Sequence, residues 1–382
     1  MGRPLCVCYF GTFRSEYSRN QIMIEGLRRN QVIVLECHEK LWYGIEDRVQ
    51  AASGGWLKPK FLLRVITAYT RLLRRYLNVG DYDVLIVGYP GQLDVFLARL
   101  LSWLHCKPLV WDVFMSIYLI SVERGLDQHS RLTLNLIRKF ESKALKLPDR
   151  LIQDTAEYIA WFEKTYGLSK ECFRLVPTGA DDRIFRPLPP KKRDDGILRV
   201  IYYGTFIANH GVEYIIEAAH YLAHEENIHF ELIGNGPEKE KASELAEKYD
   251  LRNLTFIDWL DQSELVKRVA QADLCLGAFG NTPQSVMTVQ NKIFEGLAMA
   301  KPVITGDSPA VRQFLEHRVH VYLCERANGK SLANAIQTIR DDLALRDKIA
   351  HNGHIIFTKR YDLFHIGQRY ASHLESLISD FR

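Results

Sequence analysis

The sequence predicts an α/β protein built from two doubly wound, Rossmann-like parallel sheets. At 382 residues the chain exceeds the size at which a single hydrophobic core usually stops growing, so two domains are expected. Short apolar runs alternate with longer helical patterns along the chain, which is the rhythm of βαβ units. One stretch near the middle, 186–195, instead concentrates proline and charge. We therefore predict a first domain over 1–186, a linker over 187–196 and a second domain over 197–360.

The apolar runs place the strands in two groups of six. We expect strands near 5–10, 32–36, 84–87, 109–112, 151–153 and 173–176 in the first half, and near 198–203, 229–233, 255–258, 274–278, 303–305 and 319–323 in the second. Helices fill the intervals. Because ligands of open parallel sheets bind beyond the carboxyl ends of the strands, the loops after strands are the first candidates for a site.

Composition narrows the function classes. A formal net charge of +4 is too mild to indicate binding to nucleic acid. The seven cysteines are scattered without a CxxC pair or a zinc spacing, so we expect reduced thiols in a cytoplasmic protein. The apolar run that ends at Gly11 is too short for a signal peptide, and no apolar run reaches the length of a membrane span.

A helix predicted to begin near Asn291 carries the most informative pair of side chains. Lys292 and Glu295 are i and i+3 neighbours on one side of it. The free N–H groups and positive dipole end of such a helix attract a diphosphate, and the Lys292 ammonium adds a point charge. Glu295 is placed to accept hydrogen bonds from two ribose hydroxyls. The alternative is an amphipathic surface helix with a solvated Lys and Glu.

The loop from Gly204 to Gly211 follows a predicted strand and leads into a helix. It contains Thr205 and His210, and glycines at both ends let the backbone approach a phosphate. His210 is equally well explained as a surface residue.

A second glycine loop follows the next strand and contains Gly234 and Gly236. It begins like a dinucleotide-binding fingerprint, but Lys239 stands where the third glycine is required. A nicotinamide-dependent enzyme is therefore not expected.

Taken in order, these motifs resemble glycosyltransferase family 4. Glu295 precedes the Pro302-Val-Ile strand by the spacing of the family signature, and the likeness extends to Tyr203-Gly-Thr-Phe, to the turn at 233–237 and to the segment 176–181. The resemblance implies a GT-B fold with the active site between two domains. It also implies a last helix, 361–382, that packs back on the first domain.

The resemblance further implies a retaining transfer of a sugar from a nucleoside diphosphate sugar to a sugar or lipid-linked acceptor. Lys292 and Asn291 would then contact the donor phosphates, and Asp258 and Trp259 would lie where relatives hold the base. This chain departs from the family at two places. Met287 stands where the first of two signature Glu residues is usual, and Thr205 and His210 replace a basic pair.

In the first domain we expect the loop after the first strand to border the acceptor. Its candidate residues are Gly11, Thr12, Arg19 and Asn20, with Arg19 facing a phosphate or, alternatively, lying at the surface. Asp112 ends a buried strand, where a carboxylate is costly unless it is paired or functional, so it is the candidate for orienting an acceptor hydroxyl. Phe114 stands near the position of a His in relatives.

Two other motifs are given structural interpretations. Residues 324–331 have the spacing of a phosphate-binding loop, but Cys324 replaces the first glycine and a polar helix start is expected. The carboxylates of Asp81 and Asp83 precede a strand and so lie at the wrong end of the sheet for a ligand. We predict no metal and no cofactor.

The stretch 56–77 predicts a basic amphipathic helix. It holds six basic residues and no acidic one, with the apolar residues on one side and the basic residues after Pro59 opposite. Such a helix binds an anionic membrane surface. Alternatively, its apolar face packs on the sheet and its arginines face water.

Two other functions remain open at this point. A sugar-nucleotide epimerase of the same fold would use the same nucleotide site. It would also need several acid and base side chains, and Asp112 is the one candidate that the sequence offers. A non-catalytic descendant that binds a nucleotide sugar is the other, because of Met287 and the missing basic pair.

Overall fold

The computed structural model describes residues 3–41, 59–126, 130–189 and 195–381. The chain divides into two compact units, Met1–Pro177 with Leu363–Arg382, and Thr178–Asp362. The change of unit thus precedes the predicted boundary at 186, because the Ala180 N–H donates to the Tyr361 carbonyl and ties this segment to the second unit. Part of the predicted linker, 190–194, lies outside the described residues.

The first unit is a parallel sheet flanked by helices. Its strands are β1 (Cys6–Gly11), β2 (Ile33–His38), β3 (Val84–Val87), β4 (Leu109–Asp112), β5 (Arg150–Gln153) and β6 (Phe173–Leu175), in the order β2-β1-β3-β4-β5-β6. Its described helices are α1 (Ser18–Arg29), α2 (Pro59–Tyr76), α3 (Asp94–His105), α4 (Ile117–Glu123), α5 (Arg131–Ala144) and α6 (Ala156–Tyr166), with α15 (Leu363–Phe381) from the end of the chain.

The strand order fixes which helices share a face of this sheet. Connections between parallel strands are right-handed, so α2, α3 and α5 lie on one face and α1 on the other. The Tyr69 hydroxyl of α2 donates to Asp94 of α3 at 2.7 Å, and the Phe96 ring of α3 stacks on Phe140 of α5 with centroids 5.2 Å apart. On the opposite face, α15 packs against α1.

The second unit repeats this architecture. Its strands are β7 (Leu198–Tyr203), β8 (Ile228–Ile233), β9 (Leu254–Ile257), β10 (Leu274–Leu276), β11 (Val303–Gly306) and β12 (Tyr322–Cys324), in the order β12-β11-β10-β7-β8-β9. Its helices are α7 (Val212–Tyr221), α8 (Lys239–Lys248), α9 (Gln262–Gln271), α10 (Pro283–Met287), α11 (Asn291–Ala298), α12 (Pro309–Phe314), α13 (Gly329–Asp341) and α14 (Leu343–Arg360). Buried aliphatic and aromatic residues of the strands and of α7 and α13 form its core.

The predicted α/β class with two parallel sheets is confirmed, and each expected strand is present with ends that shift by a few residues. The largest shift is at β12, expected from Val319 but starting at Tyr322. Residues before it close a turn, with the Arg318 N–H donating to the Val321 carbonyl at 2.8 Å, and pairing with β11 starts only at Tyr322 opposite Ile304.

The two motifs set aside in the sequence have structural partners. The Asn328 side chain accepts a hydrogen bond from the Ser331 N–H and caps α13, so the phosphate-loop spacing is a polar helix start. Asp81 and Asp83 form ion pairs with Arg3, and Asp81 also with Lys107.

Candidate functional site

The start of α11 places the predicted Lys and Glu inside the second unit. Pro302 and the buried strand β11 follow the helix, and its apolar residues pack into the core, so the side with Lys292 and Glu295 is held against β7. Lys292 is 6% exposed and Glu295 9%. The predicted i,i+3 relation is therefore present, but the alternative of a solvated surface pair is wrong, because both side chains are buried.

The Lys292 ammonium lies against the backbone at the end of β7. A Cβ built on Gly204 would stand 2.8 Å from Lys292 Nζ, and Gly204 has a φ of +142°. The ammonium is also 4.0 Å from the centroid of the Tyr202 ring and 3.4 Å from His210 Nδ1. Glycine is favoured at this position mainly by its positive φ, and its missing side chain leaves room for the Lys292 ammonium.

Burial shifts the pKa values of this pair toward each other. It lowers the pKa of Lys292 to about 7, against the raising effect of Glu295. It raises the pKa of Glu295 to about 7, against the lowering effects of the Tyr203 hydroxyl and of Lys292. No ion pair joins the two side chains within the described residues, so their mutual attraction only partly offsets the effect of burial on each pKa.

His210 is part of the same cluster. Its Nδ1 lies 2.6 Å from the Thr205 carbonyl oxygen, which can only accept, so Nδ1 carries the proton in this arrangement. The Tyr202 hydroxyl is 2.9 Å from the same nitrogen. Burial, and then Lys292, hold the pKa of His210 well below its usual range. The imidazole is therefore neutral at pH 7, and the positive charge of the cluster belongs to Lys292.

The two glycine loops contact each other. A Cβ on Gly234 would lie 2.1 Å from the Gly204 carbonyl oxygen, and one on Gly236 would lie 2.6 Å from the Phe206 carbonyl oxygen. Next to them, Lys239 places its ammonium 4.0 Å from the centroid of the Phe256 ring. Asp258 and Trp259 follow β9 and are exposed, Trp259 by 57%. Burial lowers the pKa of Lys239, and the charge of Asp258 partly offsets this effect. The structure thus brings these donor-side candidates to one edge of the sheet.

A buried arginine that was not predicted from the sequence is connected by hydrogen bonds to the 204–211 loop. Arg326 Nη1 donates to the Gly280 carbonyl and to Ser285 Oγ, each at 2.8 Å. Ser285 Oγ in turn donates to the Asn209 carbonyl at 2.6 Å, next to His210. Burial lowers the pKa of Arg326 to about 10. Its place directly after β12, at the carboxyl end of a strand, is the signal by which it could have been found.

The helix start itself has no side-chain cap. Gln290 occupies the N-cap position of α11 without a capping hydrogen bond and donates instead to Thr288 Oγ1 at 3.2 Å. Asn291 is the first residue of the helix and is half-buried. Met287, in place of the family Glu, is buried at the end of α10.

In the first unit, Arg19 and Asp112 are partners of each other. Arg19 Nε and Nη2 each donate to an Asp112 carboxylate oxygen at 2.9 Å, and both side chains are completely buried. Arg19 Nη1 also donates to the carbonyls of Val176 and Pro177. This pair explains how a carboxylate ends a buried strand, and the surface alternative for Arg19 is wrong. A contact of either residue with an acceptor or a phosphate stays a prediction.

The other three acceptor-side candidates are also engaged within the unit. The Thr12 N–H and hydroxyl donate to Asp94, and a Cβ on Gly11 would stand 2.6 Å from the same carboxylate. Asn20 accepts from the Tyr9 hydroxyl and from the Tyr89 N–H. Asp94, which the sequence reasoning did not select, therefore fixes this loop from the start of α3.

The second unit contains a region that matches a known protein family. Residues 198–342 match the family model described as Glycosyl transferases group 1. This region contains both glycine loops and the Lys292 helix. Over these residues the second unit is similar to group 1 glycosyl transferases.

The curated relatives align over part of their length. The chain is 27% identical over 174 residues to the lipopolysaccharide core biosynthesis glycosyltransferase LpsD of Rhizobium meliloti, covering 44% of this chain and 48% of that protein. The chain thus spans about half the length of the curated relatives it matches.

Solved structures match the chain over nearly its whole length. Sucrose-phosphate synthase from Thermosynechococcus elongatus gives a TM-score of 0.71 at 15% identity and covers 99% of this chain and 100% of that one. Anabaena Alr3699/HepE in complex with UDP gives 0.68 at 16% identity and covers 98% and 100%. The likeness shows a shared fold, that of the GT-B glycosyltransferases, and confirms the architecture predicted for both units.

Proposed function

We propose that the protein is a retaining glycosyltransferase of family 4 that moves a sugar from a nucleoside diphosphate sugar to an acceptor hydroxyl. The observation that carries this proposal is the buried Lys292 ammonium next to the uncapped start of α11. Burial lowers the pKa of Lys292 to about 7, and the charge of Glu295 offsets this effect only in part. A diphosphate at this place would supply the missing negative charge and accept hydrogen bonds from the helix start.

The roles of the other residues follow from their places in the cluster. The backbone of the 204–211 loop would hold the diphosphate with Lys292, while Glu295 would accept hydrogen bonds from the ribose. Lys292 would stabilise the charge that develops on the leaving diphosphate, which is the main electrostatic task of this chemistry. Because the leaving phosphate can itself take the acceptor proton, the mechanism we propose needs no metal and no further cofactor.

The acceptor is proposed from the chemistry of relatives. LpsD is a lipopolysaccharide core glycosyltransferase by name, and HepE has been crystallised with UDP-glucose. We propose a sugar or lipid-linked acceptor, held by the first unit, and a place at the cytoplasmic face of a membrane, with the basic helix α2 directed to anionic lipid. Within the described ranges, no helix has the length and apolar character needed to cross a bilayer.

Thermal shift with a panel of nucleoside diphosphates and their sugars tests the donor site. We expect one nucleotide sugar to raise the melting temperature saturably, and Lys292→Ala and Glu295→Ala each to abolish the effect. The matched control is Glu264→Ala with Lys267→Ala, because this exposed i,i+3 pair belongs to the same unit. Stabilisation that persists in both site variants would refute the assigned site.

Product analysis separates transfer from the two other functions. Incubation of the stabilising nucleotide sugar with lipid and sugar acceptors should give a new glycoside that keeps the anomeric configuration of the donor. A new nucleotide sugar formed without acceptor would identify an epimerase. Binding without any turnover would identify a non-catalytic descendant.

A further inference from the structure

The outward face of α3 consists of large apolar side chains. Leu100, Trp103 and Leu104 are 52%, 66% and 69% exposed, and Leu93 and Phe96 continue the same stripe toward the start of the helix. Val95, Ala98 and Ser102, on the opposite side, are buried on the sheet. The helix is therefore apolar on both sides, although the described residues of the unit cover only one of them.

The neighbouring helices extend this exposed apolar area. On α2 and just after it, the exposed side chains are Leu62, Leu63, Ile66, Leu73 and Leu77; on α5 they are Leu132 and Leu136. The buried side of α2 is narrow and consists of Ala68, Leu72 and Tyr76. The sheet thus covers only part of the apolar side predicted for this helix. Because α2, α3 and α5 are adjacent, these side chains form one area, here called the three-helix surface.

The exposed charged residues of α2, α3 and α5 have one sign. Lys60 and Arg74 on α2, and Arg131, Lys139 and Lys143 on α5, are exposed. The acidic residues of the three helices are Asp94 and Glu141, and both are buried and hydrogen-bonded within the unit. Arg71 and Arg75 lie close to Glu39 and contribute less.

We propose that the three-helix surface docks on an anionic lipid bilayer. The stripe of α3 enters the interface between headgroups and acyl chains, while the cations of α2 and α5 contact headgroup phosphates on either side of it. A large exposed apolar area with a basic rim fits this partner better than a second copy of the chain. Two such surfaces face to face would bring like charges together.

This docking goes beyond the proposed transfer and extends the lipid contact proposed for the basic helix α2, because α3 and α5 add exposed apolar side chains to it. It needs no nucleotide sugar. A failure to bind lipid therefore leaves the donor site untouched, and a failure of donor binding leaves the docking untouched.

Cosedimentation of the full chain with vesicles tests the proposal. We expect binding to phosphatidylglycerol-containing vesicles, weaker binding to phosphatidylcholine alone, and a blue shift of tryptophan emission that is lost in Trp103→Phe. Leu100→Asp with Trp103→Asp should reduce the affinity roughly tenfold or more. Arg74→Gln and Lys139→Gln should each reduce it about fivefold.

Leu343→Asp is the matched apolar control, because Leu343 is 56% exposed in the second unit. It should bind vesicles as the unchanged protein does. Wild-type-like binding by the α3 variant, or no binding to anionic vesicles at all, would overturn the proposal. So would a dimer, detected by light scattering, that the α3 variant converts to a monomer, since the surface would then join two copies.

Discussion

Replacing Glu295 by Gln should make donor binding weaken as the pH rises above 7. The lowered pKa of Lys292, about 7, means that the ammonium of the free protein loses its proton as the pH rises through this value. A diphosphate favours the charged form, so binding above pH 7 must first restore the proton. In the unchanged protein, Glu295 makes donor binding stronger as the pH rises. Burial raises its pKa to about 7, so it becomes ionised above this pH, and the ionised carboxylate is the better hydrogen-bond acceptor for a ribose.

The size of the effect follows from the fraction of charged lysine. With Glu295 in place, about half of the Lys292 side chains carry a proton at pH 7 and about one in a hundred at pH 9. Because the charge of Glu295 raises the pKa of Lys292, Glu295→Gln lowers this pKa further, and the affinity of the variant for the nucleotide sugar should fall about 50- to 100-fold between these two pH values, or about 2.3–2.7 kcal/mol. The unchanged protein should show a smaller dependence.

Isothermal titration calorimetry measures this directly. The nucleotide sugar is the right probe, because each of its two phosphates carries one ester and one anhydride bond. Neither phosphate therefore changes its charge between pH 7 and 9. Buffers with different ionisation enthalpies should show uptake of up to one proton per bound ligand near pH 8. The control is Glu295→Gln with Lys292→Arg, because a guanidinium stays charged over the whole range and should remove the dependence.

A constant or rising affinity of Glu295→Gln from pH 7 to 9 would refute this reasoning. It would mean that the ammonium does not change its charge on binding, and therefore that Lys292 does not contact the diphosphate.

Two predictions concern the first unit. Arg19→Met leaves the Asp112 carboxylate buried without its cation and should lower the free energy of unfolding by about 3–5 kcal/mol, whereas adding Asp112→Leu should recover much of that loss; urea unfolding measures both, and equal losses would contradict the pairing. Gly367→Ala would place a Cβ 1.8 Å from the Gly26 carbonyl oxygen and should weaken the packing of α15 on α1 by about 2–3 kcal/mol. Gly80→Ala, with nothing within 4 Å, is its control in thermal unfolding, and equal melting temperatures would exclude a close helix contact.

The strands, and the helix that carries Lys292 and Glu295, could be predicted from the sequence. Both depend on local patterns, namely short apolar runs and an i,i+3 spacing next to a Pro-led strand. The meeting of the glycine loops at one edge could also be predicted, because the carboxyl ends of parallel strands meet there. The same rule applies to Arg326, because it follows β12 by two residues and so lies at this edge as well.

Contacts between distant parts of the chain were not predictable in this way. Arg19 and Asp112 are 93 residues apart, and Asp94 reaches Thr12 from a separation of 82. Each residue by itself had several plausible roles, and only the packing of α1 and α3 on the sheet determined which polar groups became partners.

The pattern of α3 shows the same division. Its sequence is apolar on nearly all sides, so the pattern by itself does not show which side the sheet covers. Only the tertiary structure shows which side the sheet covers and that Trp103 and Leu104 stay exposed. The sequence by itself therefore determined the elements and the chemistry at their ends, because these depend on near neighbours. The tertiary structure decided which charges pair and which apolar face is left for a partner, because burial depends on the whole unit.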